Sequence, residues 1–160
     1  MLKTLLLLRH GKTHRGGYNR DWDRELKRRG VLQARHIGAR LKKTGLVPQR
    51  IITSSAIRAR ATAEICAEET DYPEPVDARD DLYNIGDAKL LEFIAGMDNS
   101  LDKVLLVGHN PAFEEAASLL GGKNIPLGTG DCAVLRFAIN SWEDLRKHPA
   151  PESVELVKSD

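Results

Sequence analysis

Short apolar runs alternate along this chain with longer segments of helical spacing, and this alternation limits the folds that the chain can adopt. Residues 3–8 and 103–107 are apolar runs bounded by charge, which is typical of buried strands. In residues 26–43, apolar and small residues recur with helical spacing and the charges fall on the other face. On this basis strands are predicted at 3–8, 50–53, 75–77, 103–107, 132–139 and 153–157, and helices at 26–43, 56–69, 87–97 and 111–120.

This order predicts an α/β fold, a three-layer αβα sandwich in which a mostly parallel sheet carries helices on both faces. The last two strands have no helix between them, so one of them can run antiparallel. The chain has 160 residues, which suits a single domain spanning residues 1–160.

Composition argues against several classes of function. The net charge is +1, so no strong attraction to nucleic acid or to an anionic membrane is expected. No apolar run approaches the ~20 residues of a membrane span, and residues 5–8 are fewer than the roughly 7–15 of a signal-peptide core. Cys66 and Cys132 belong to no CxxC pair or Cys/His cluster, so we expect no metal site and a reducing, cytoplasmic compartment. We also expect no cofactor and a monomeric protein.

Basic and imidazole groups follow three of the predicted strands. Arg9 and His10 come after the first strand, Arg58 comes shortly after the second, and His109 follows the strand at 103–107. In open α/β sheets, ligands bind beyond the carboxyl ends of the strands. We therefore expect these four side chains to surround a single crevice.

Two helix starts carry a further signal. If Ser54 or Ser55 caps the second helix, Arg58 lies in or near its first turn, where a cation opposes the helix macrodipole by about 0.3–1 kcal/mol. An anion bound at that helix start would reverse the sign of this effect. At the last helix, Asn110 is predicted as the N-cap, which leaves His109 in the preceding turn with its ring able to face the crevice.

Two arginines and two histidines without neighbouring acidic metal ligands suit phosphoryl transfer. Arginine presents a planar fork of donors that matches phosphate oxygens, and a neutral imidazole is a nucleophile. Phosphoryl transfer depends mainly on positioning and on neutralising the charge of the equatorial oxygens. The residues therefore predict attack on phosphorus by one of the two histidines. The resulting phosphoenzyme would then be hydrolysed by water.

Three segments resemble the histidine phosphatase superfamily, which has the phosphoglycerate-mutase-like fold. They are RHGKT near the start, SSAIRARATAEI, which matches the pattern S-x-x-x-R-A-x-x-T-A, and GHN late in the chain. The resemblance implies that His10 is the phosphorylated nucleophile. It also implies that Arg9, Arg58 and His109 form the rest of the phosphate pocket.

Within the superfamily, the chain looks most like the small SixA-type phosphohistidine phosphatases. DWDRELKRRG, at residues 21–30, matches their D-x-x-R-x-L-x-x-x-G segment, and residues 82–94, 104–120 and 130–137 are also similar. Mutase-type members carry long insertions that roof the site, for which this chain has little room. The resemblance therefore implies an open crevice and a metal-independent phosphatase that acts on phosphohistidine presented by another protein.

Four further residues are predicted near the substrate: Gly11, Lys12, Asn110 and Asp23. Lys12 lies close to the predicted nucleophile, but an ordinary surface lysine is an equal alternative. Asn110 suits a helix cap better than a ligand. Asp23 is predicted as an acid or as a substrate contact.

The chain departs from the ester-hydrolysing members of the family at the general acid. Many of those members place a carboxyl group between the second arginine and the second histidine, because an alkoxide leaving group needs a proton. An imidazole leaves more easily, so a missing acid is consistent with phosphohistidine as the substrate. Asp80, Asp81, Asp87 and Glu92 are the candidate acids that lie in this interval, and none of them lies in a motif that can be aligned.

Two alternatives remain open. A phosphatase for a small phosphate ester would use the same pocket, and a non-catalytic module that binds phosphoproteins would keep the pocket without turnover. A nucleotide-binding domain is disfavoured, because the sequence contains neither G-x-G-x-x-G nor G-x-x-x-x-G-K-[ST].

Overall fold

Six strands form one mixed sheet in the computed structural model, which describes residues 2–160. Their order across the sheet is β3-β2-β4-β1-β5-β6. The strands are β1 (Lys3–Arg9), β2 (Arg50–Ser54), β3 (Asp77–Arg79), β4 (Lys103–Gly108), β5 (Cys132–Phe137) and β6 (Ser153–Val157). β1 to β4 run parallel, β5 pairs antiparallel with β1, and β6 pairs antiparallel with β5. The mostly parallel sheet is confirmed, and β5 is its reversed strand.

Four helices cover the two faces of the sheet: α1 (Arg28–Lys43), α2 (Ile57–Glu69), α3 (Asp87–Ala95) and α4 (Ala112–Gly121). Leu6 and Leu8 of β1 are fully buried in the core beneath α1 and α2, whereas Leu5 and Leu7 are fully buried beneath α3 and α4. Successive side chains of a strand point to opposite faces, so four buried leucines in a row require helices on both sides. The predicted three-layer αβα sandwich is therefore confirmed. Within residues 2–160, no helix is both long and apolar enough to cross a membrane.

Two elements begin two residues later than predicted. β3 begins at Asp77, because Pro75 has no N–H to donate to a ladder and Asp77 is the first residue to pair with β2. The start of α1 is displaced because Leu26 forms an isolated antiparallel bridge with Thr13. That bridge ties the loop after β1 to the entry of α1.

The predicted caps of α2 and α4 are wrong in position. The capping residue of α2 is Ala56, and the Ser54 hydroxyl accepts a hydrogen bond from the Ala56 N–H at 3.2 Å, before the helix begins. The capping residue of α4 is Pro111, one position after Asn110. The Asn110 side-chain oxygen still accepts a hydrogen bond from the Glu114 N–H at 3.2 Å. Asn110 therefore satisfies one free N–H of the first turn, although it lies one position before the capping residue.

Candidate active site

A cavity of about 510 Å³ opens at the carboxyl ends of β1 and β4 and at the start of α2. Arg9 ends β1 and His10 follows it, Arg58 lies in the first turn of α2, and His109 follows β4. The structure brings all four side chains together in the lining of this cavity. They meet because the carboxyl ends of parallel strands lie at the same edge of the sheet.

His10 is buried and held in one orientation. Its Nδ1 donates a hydrogen bond to the Gly11 carbonyl oxygen at 2.8 Å, which leaves Nε2 without a proton, 3.4 Å from Arg58 Nε. Burial lowers the pKa of His10 to about 4, and the charges of Arg58 and Arg9 act in the same direction. The ring is therefore neutral at pH 7, and Nε2 carries a lone pair that can attack an electrophile.

Two glycines fix the loop that carries His10. A Cβ atom on Gly11 would lie 2.5 Å from the carbonyl oxygen of Gly30 in α1, so only glycine permits this approach. The Gly11 N–H donates to the Thr62 hydroxyl at 3.1 Å, and that hydroxyl donates to the Arg58 carbonyl oxygen at 2.8 Å. Contacts from α1 and α2 thus hold the residue that follows His10.

His109 provides a second neutral imidazole. Its ring centroid lies 5.2 Å from that of His10, and its Nε2 lies 2.8 Å from Ser54 Oγ, so the end of β2 orients the ring that follows β4. Burial and then the proximity of His10 and Arg58 lower the pKa of His109 to about 3. Its Nδ1 is buried and has no hydrogen-bond partner within residues 2–160.

Two arginines flank His10. Arg9 donates from Nη1 to the Leu127 carbonyl oxygen at 3.0 Å, and its buried Nε has no partner in the described part of the chain. Arg58 is buried, and it donates from Nη1 to the backbone oxygen of Asp21 at 2.7 Å and from Nη2 to the Asp21 carboxylate at 2.8 Å. Fixed positive charge beside a neutral imidazole suits a phosphoryl group, whose oxygens are negatively charged.

Asp21 lines the cavity, although the sequence analysis did not single it out. Its carboxylate accepts hydrogen bonds from Arg58, from the Tyr83 hydroxyl at 2.8 Å and from Arg24 Nη1 at 3.0 Å. Partial burial opposes the charge of Asp21, but the hydrogen bonds from Tyr83, Arg24 and Arg58 outweigh it and hold the pKa well below its usual range. Asp21 and Arg24 are the aspartate and arginine of the D-x-x-R segment, which was the signal that could have identified them.

Asp23 does not line the cavity, contrary to prediction. It pairs with Arg20, with 2.9 Å between Oδ1 and Arg20 Nη2. Both aspartates of this segment belong to the 3-10 turn Asp21–Asp23, where side chains two positions apart point in different directions. Arg58 therefore meets the first of them and not the second.

The carboxylates considered as general acids also lie outside the cavity lining. Asp81 pairs with Arg79 at 3.0 Å, and Glu92 pairs with Arg146 at 2.6 Å. None of the four candidates (Asp80, Asp81, Asp87 and Glu92) lines the cavity. The interval between Arg58 and His109 thus places no carboxyl group at the site.

Of the other predicted substrate contacts, Lys12 and Asn110 line the cavity and Gly11 does not. Gly11 is absent from the cavity lining, because it is packed against Gly30. The Asn110 amide nitrogen donates to the Leu127 carbonyl oxygen at 2.9 Å, so both ends of this side chain are already bonded. Within residues 2–160, no three His, Cys, Asp or Glu side chains are arranged to hold a metal ion.

Comparison with known proteins places this geometry in a family. Residues 5–92 match the model of the histidine phosphatase superfamily, branch 1. An uncharacterized chloroplast protein of Arabidopsis thaliana is 31% identical over 152 residues, which cover 89% of this chain and 70% of that protein.

Solved structures agree with the sequence match. A SixA protein of Nakamurella multipartitia superposes with a TM-score of 0.81 at 26% identity, over 97% of this chain and 96% of that one. A SixA protein of Agrobacterium tumefaciens superposes with a TM-score of 0.77 at 28% identity, over 84% of this chain and 92% of that one. By their names, both proteins are proposed phosphohistidine phosphatases. The chain therefore belongs to the histidine phosphatase superfamily, in its SixA-type branch.

Proposed function

We propose that this protein is a phosphatase that removes the phosphoryl group from phosphohistidine on another protein, through an intermediate on His10. The observation that carries the proposal is the unprotonated Nε2 of His10, which lies beside Arg58 in a cavity that Arg9 and His109 also line. The SixA-type architecture supports the same reaction.

The two steps balance as follows. The Nε2 lone pair of His10 attacks phosphorus in line, the bond from phosphorus to the substrate imidazole breaks, and that imidazole takes up a proton from solvent as it leaves. Water then attacks phosphorus, inorganic phosphate departs, and the lone pair returns to Nε2. Arg9 and Arg58 neutralise the phosphoryl oxygens in both steps, and His109 lines the same cavity.

The state of Asp21 supports phosphohistidine over a phosphate ester. An ester leaves as an alkoxide, which needs a proton from an acid in the transition state. Among the described residues, Asp21 is the only carboxylate that lines the cavity, and its three hydrogen-bond donors keep it deprotonated. An imidazole leaving group depends less on such an acid.

We also propose that turnover needs no metal ion, because the guanidinium groups of Arg9 and Arg58 supply the positive charge that a metal would bring to the phosphoryl oxygens. A cytoplasmic location and a monomeric state stay predictions from the sequence. The two cysteines are free and buried, which is compatible with a reducing compartment.

A paired assay in EDTA tests the proposal. Phosphate release is followed from a histidine-phosphorylated carrier protein and from para-nitrophenyl phosphate, with the wild type, His10→Ala and, as a control, the exposed-histidine variant His36→Ala. We expect fast release from the carrier by the wild type and the control, slow ester hydrolysis, and no turnover or phosphoenzyme with His10→Ala.

Other outcomes identify the alternatives. Turnover that survives in His10→Ala contradicts the covalent route, and loss of turnover in EDTA that zinc or magnesium restores contradicts metal independence. Fast ester hydrolysis with a slow carrier rate indicates a small-ester phosphatase. Phosphate binding without turnover of either substrate indicates a binding module.

A further inference from the structure

The cavity is larger and more positively charged than one phosphoryl group requires. Its volume of about 510 Å³ lies within the ~300–1,000 Å³ typical of pockets that hold drug-sized ligands. A phosphoryl group bound between His10 and Arg58 would fill only part of this volume. The charged side chains of the lining comprise one anion, Asp21, and five cations, Arg9, Lys12, Arg15, Arg24 and Arg58.

Three of these cations, Arg9, Lys12 and Arg15, form no ion pair with a carboxylate of residues 2–160, and Arg9 is the one of the three that lies beside the nucleophile. Arg24 and Arg58 both pair with Asp21. The charge of Lys12 and Arg15 is thus available to a bound group other than the phosphoryl oxygens.

The backbone that carries these two cations is held in place. The Lys12 N–H donates to Gln33 Oε1 at 2.9 Å, and the Lys12 carbonyl oxygen accepts from the Lys27 N–H at 2.9 Å. The His14 carbonyl oxygen accepts from Arg24 Nε at 3.0 Å. Because the segment is already ordered, an anion that reaches it does not have to order the loop, which lowers the entropic cost of binding.

The rest of the cavity lining is different in character. Ile85, Pro111 and Ala112 contribute apolar surface from the segments after β3 and β4, beside the uncharged polar side chains of Asn84, Asn110 and Thr129. The lining therefore places free positive charge on the loop after β1 and uncharged surface on other segments. A substrate that carries an anionic group on one side of its phosphorylated residue complements this division.

We infer that Lys12 and Arg15 bind a carboxylate side chain that neighbours the phosphohistidine in the protein substrate. The inference rests on the proposed function and names the substrate class more closely: phosphohistidine with an acidic residue beside it. Arg15 is exposed and Lys12 is half-buried, so the pair acts at the rim of the cavity, where water weakens ion pairs. The expected preference for an acidic substrate is accordingly modest, about fivefold, and it decreases as salt is added.

Two matched phosphohistidine peptides test the inference. One carries glutamate on both sides of the phosphohistidine, and the other carries glutamine at the same positions. kcat and KM are measured for each peptide with the wild type, Arg15→Gln, Arg15→Glu and the control Arg40→Gln, which changes an exposed arginine of α1 outside the cavity lining.

We expect the wild type and Arg40→Gln to prefer the glutamate peptide through a lower KM. Arg15→Gln should reduce that preference toward twofold, and Arg15→Glu should favour a third peptide with lysine at the flanking positions. A structural role for Arg15 would not reverse the charge preference. Equal kcat/KM values for the glutamate and glutamine peptides with the wild type overturn the inference alone. Inactivity on every peptide overturns the proposed function and the inference with it.

Discussion

Mild acid should destabilise this protein through its two buried histidines. The pKa is about 4 for His10 and about 3 for His109, against 6.5 for an exposed histidine. As the pH falls below 6.5, the unfolded chain takes up a proton at each position and the folded protein does not. The free energy of unfolding therefore falls with pH until each folded-state pKa is reached, and then levels off.

The magnitude follows from the size of the shifts. One pKa unit corresponds to about 1.4 kcal/mol, so each histidine removes about 2 kcal/mol of stability between pH 6.5 and pH 5. The two together remove about 4 kcal/mol, a large part of the roughly 5–15 kcal/mol that a folded domain has. Both rings are largely buried, so solvent screening reduces this loss of stability little.

Urea denaturation at pH 7 and at pH 5 measures this loss. The variant His109→Gln keeps a polar side chain but cannot titrate, and His36→Gln removes an exposed histidine as the control. The wild type and the control should lose about 2 kcal/mol more than His109→Gln between the two pH values. Equal losses in all three proteins would refute the reasoning that His109 is held neutral by burial.

Three further predictions concern the site. Arg58→Ala should lower kcat/KM on phosphohistidine by about 10²–10³, and Arg58→Lys should not restore the rate, because lysine lacks the planar fork of donors. A loss of less than about tenfold in Arg58→Ala would contradict a place for this residue in the phosphate pocket. Gly11→Ala should lower the melting temperature and reduce the free energy of unfolding by about 1–3 kcal/mol through overpacking, whereas Gly16→Ala, at a position with open space around it, should change the melting temperature little. Equal melting temperatures of the two variants would contradict the close approach of Gly11 to Gly30. Asp21→Asn should lower kcat/KM by about tenfold or more, since Arg58 loses a charge-assisted partner, and an unchanged or raised value would show that the carboxylate competes with phosphate.

Much of the fold follows from local sequence. The run of leucines in β1 predicts a strand buried on both faces, and the helical spacing in α1 predicts a helix with one apolar face. Boundaries were harder to predict where a distant contact decides them. Leu26 has the spacing of a helical residue, but its bridge to Thr13 keeps it out of α1.

The candidate site was predictable as far as it depends on strand ends. Arg9, His10, Arg58 and His109 were predicted together because each follows a strand or opens a helix at one edge of the sheet. The carboxylate was not predictable by the same reasoning. Asp21 lies in the short 3-10 turn Asp21–Asp23, outside the strands and the long helices, and sequence alone does not distinguish its orientation from that of Asp23.

The αβα architecture and the residues that gather at the carboxyl edge of the sheet can be predicted from local patterns, because strand and helix periods are local and parallel strands share one edge. Which carboxylate meets Arg58, and which protonation state the two imidazoles hold, depends on the folded chain. The pairing of Arg58 with Asp21 joins residues 37 positions apart, and the low pKa values come from burial among side chains of several elements. Contacts of this kind form only when the chain is folded.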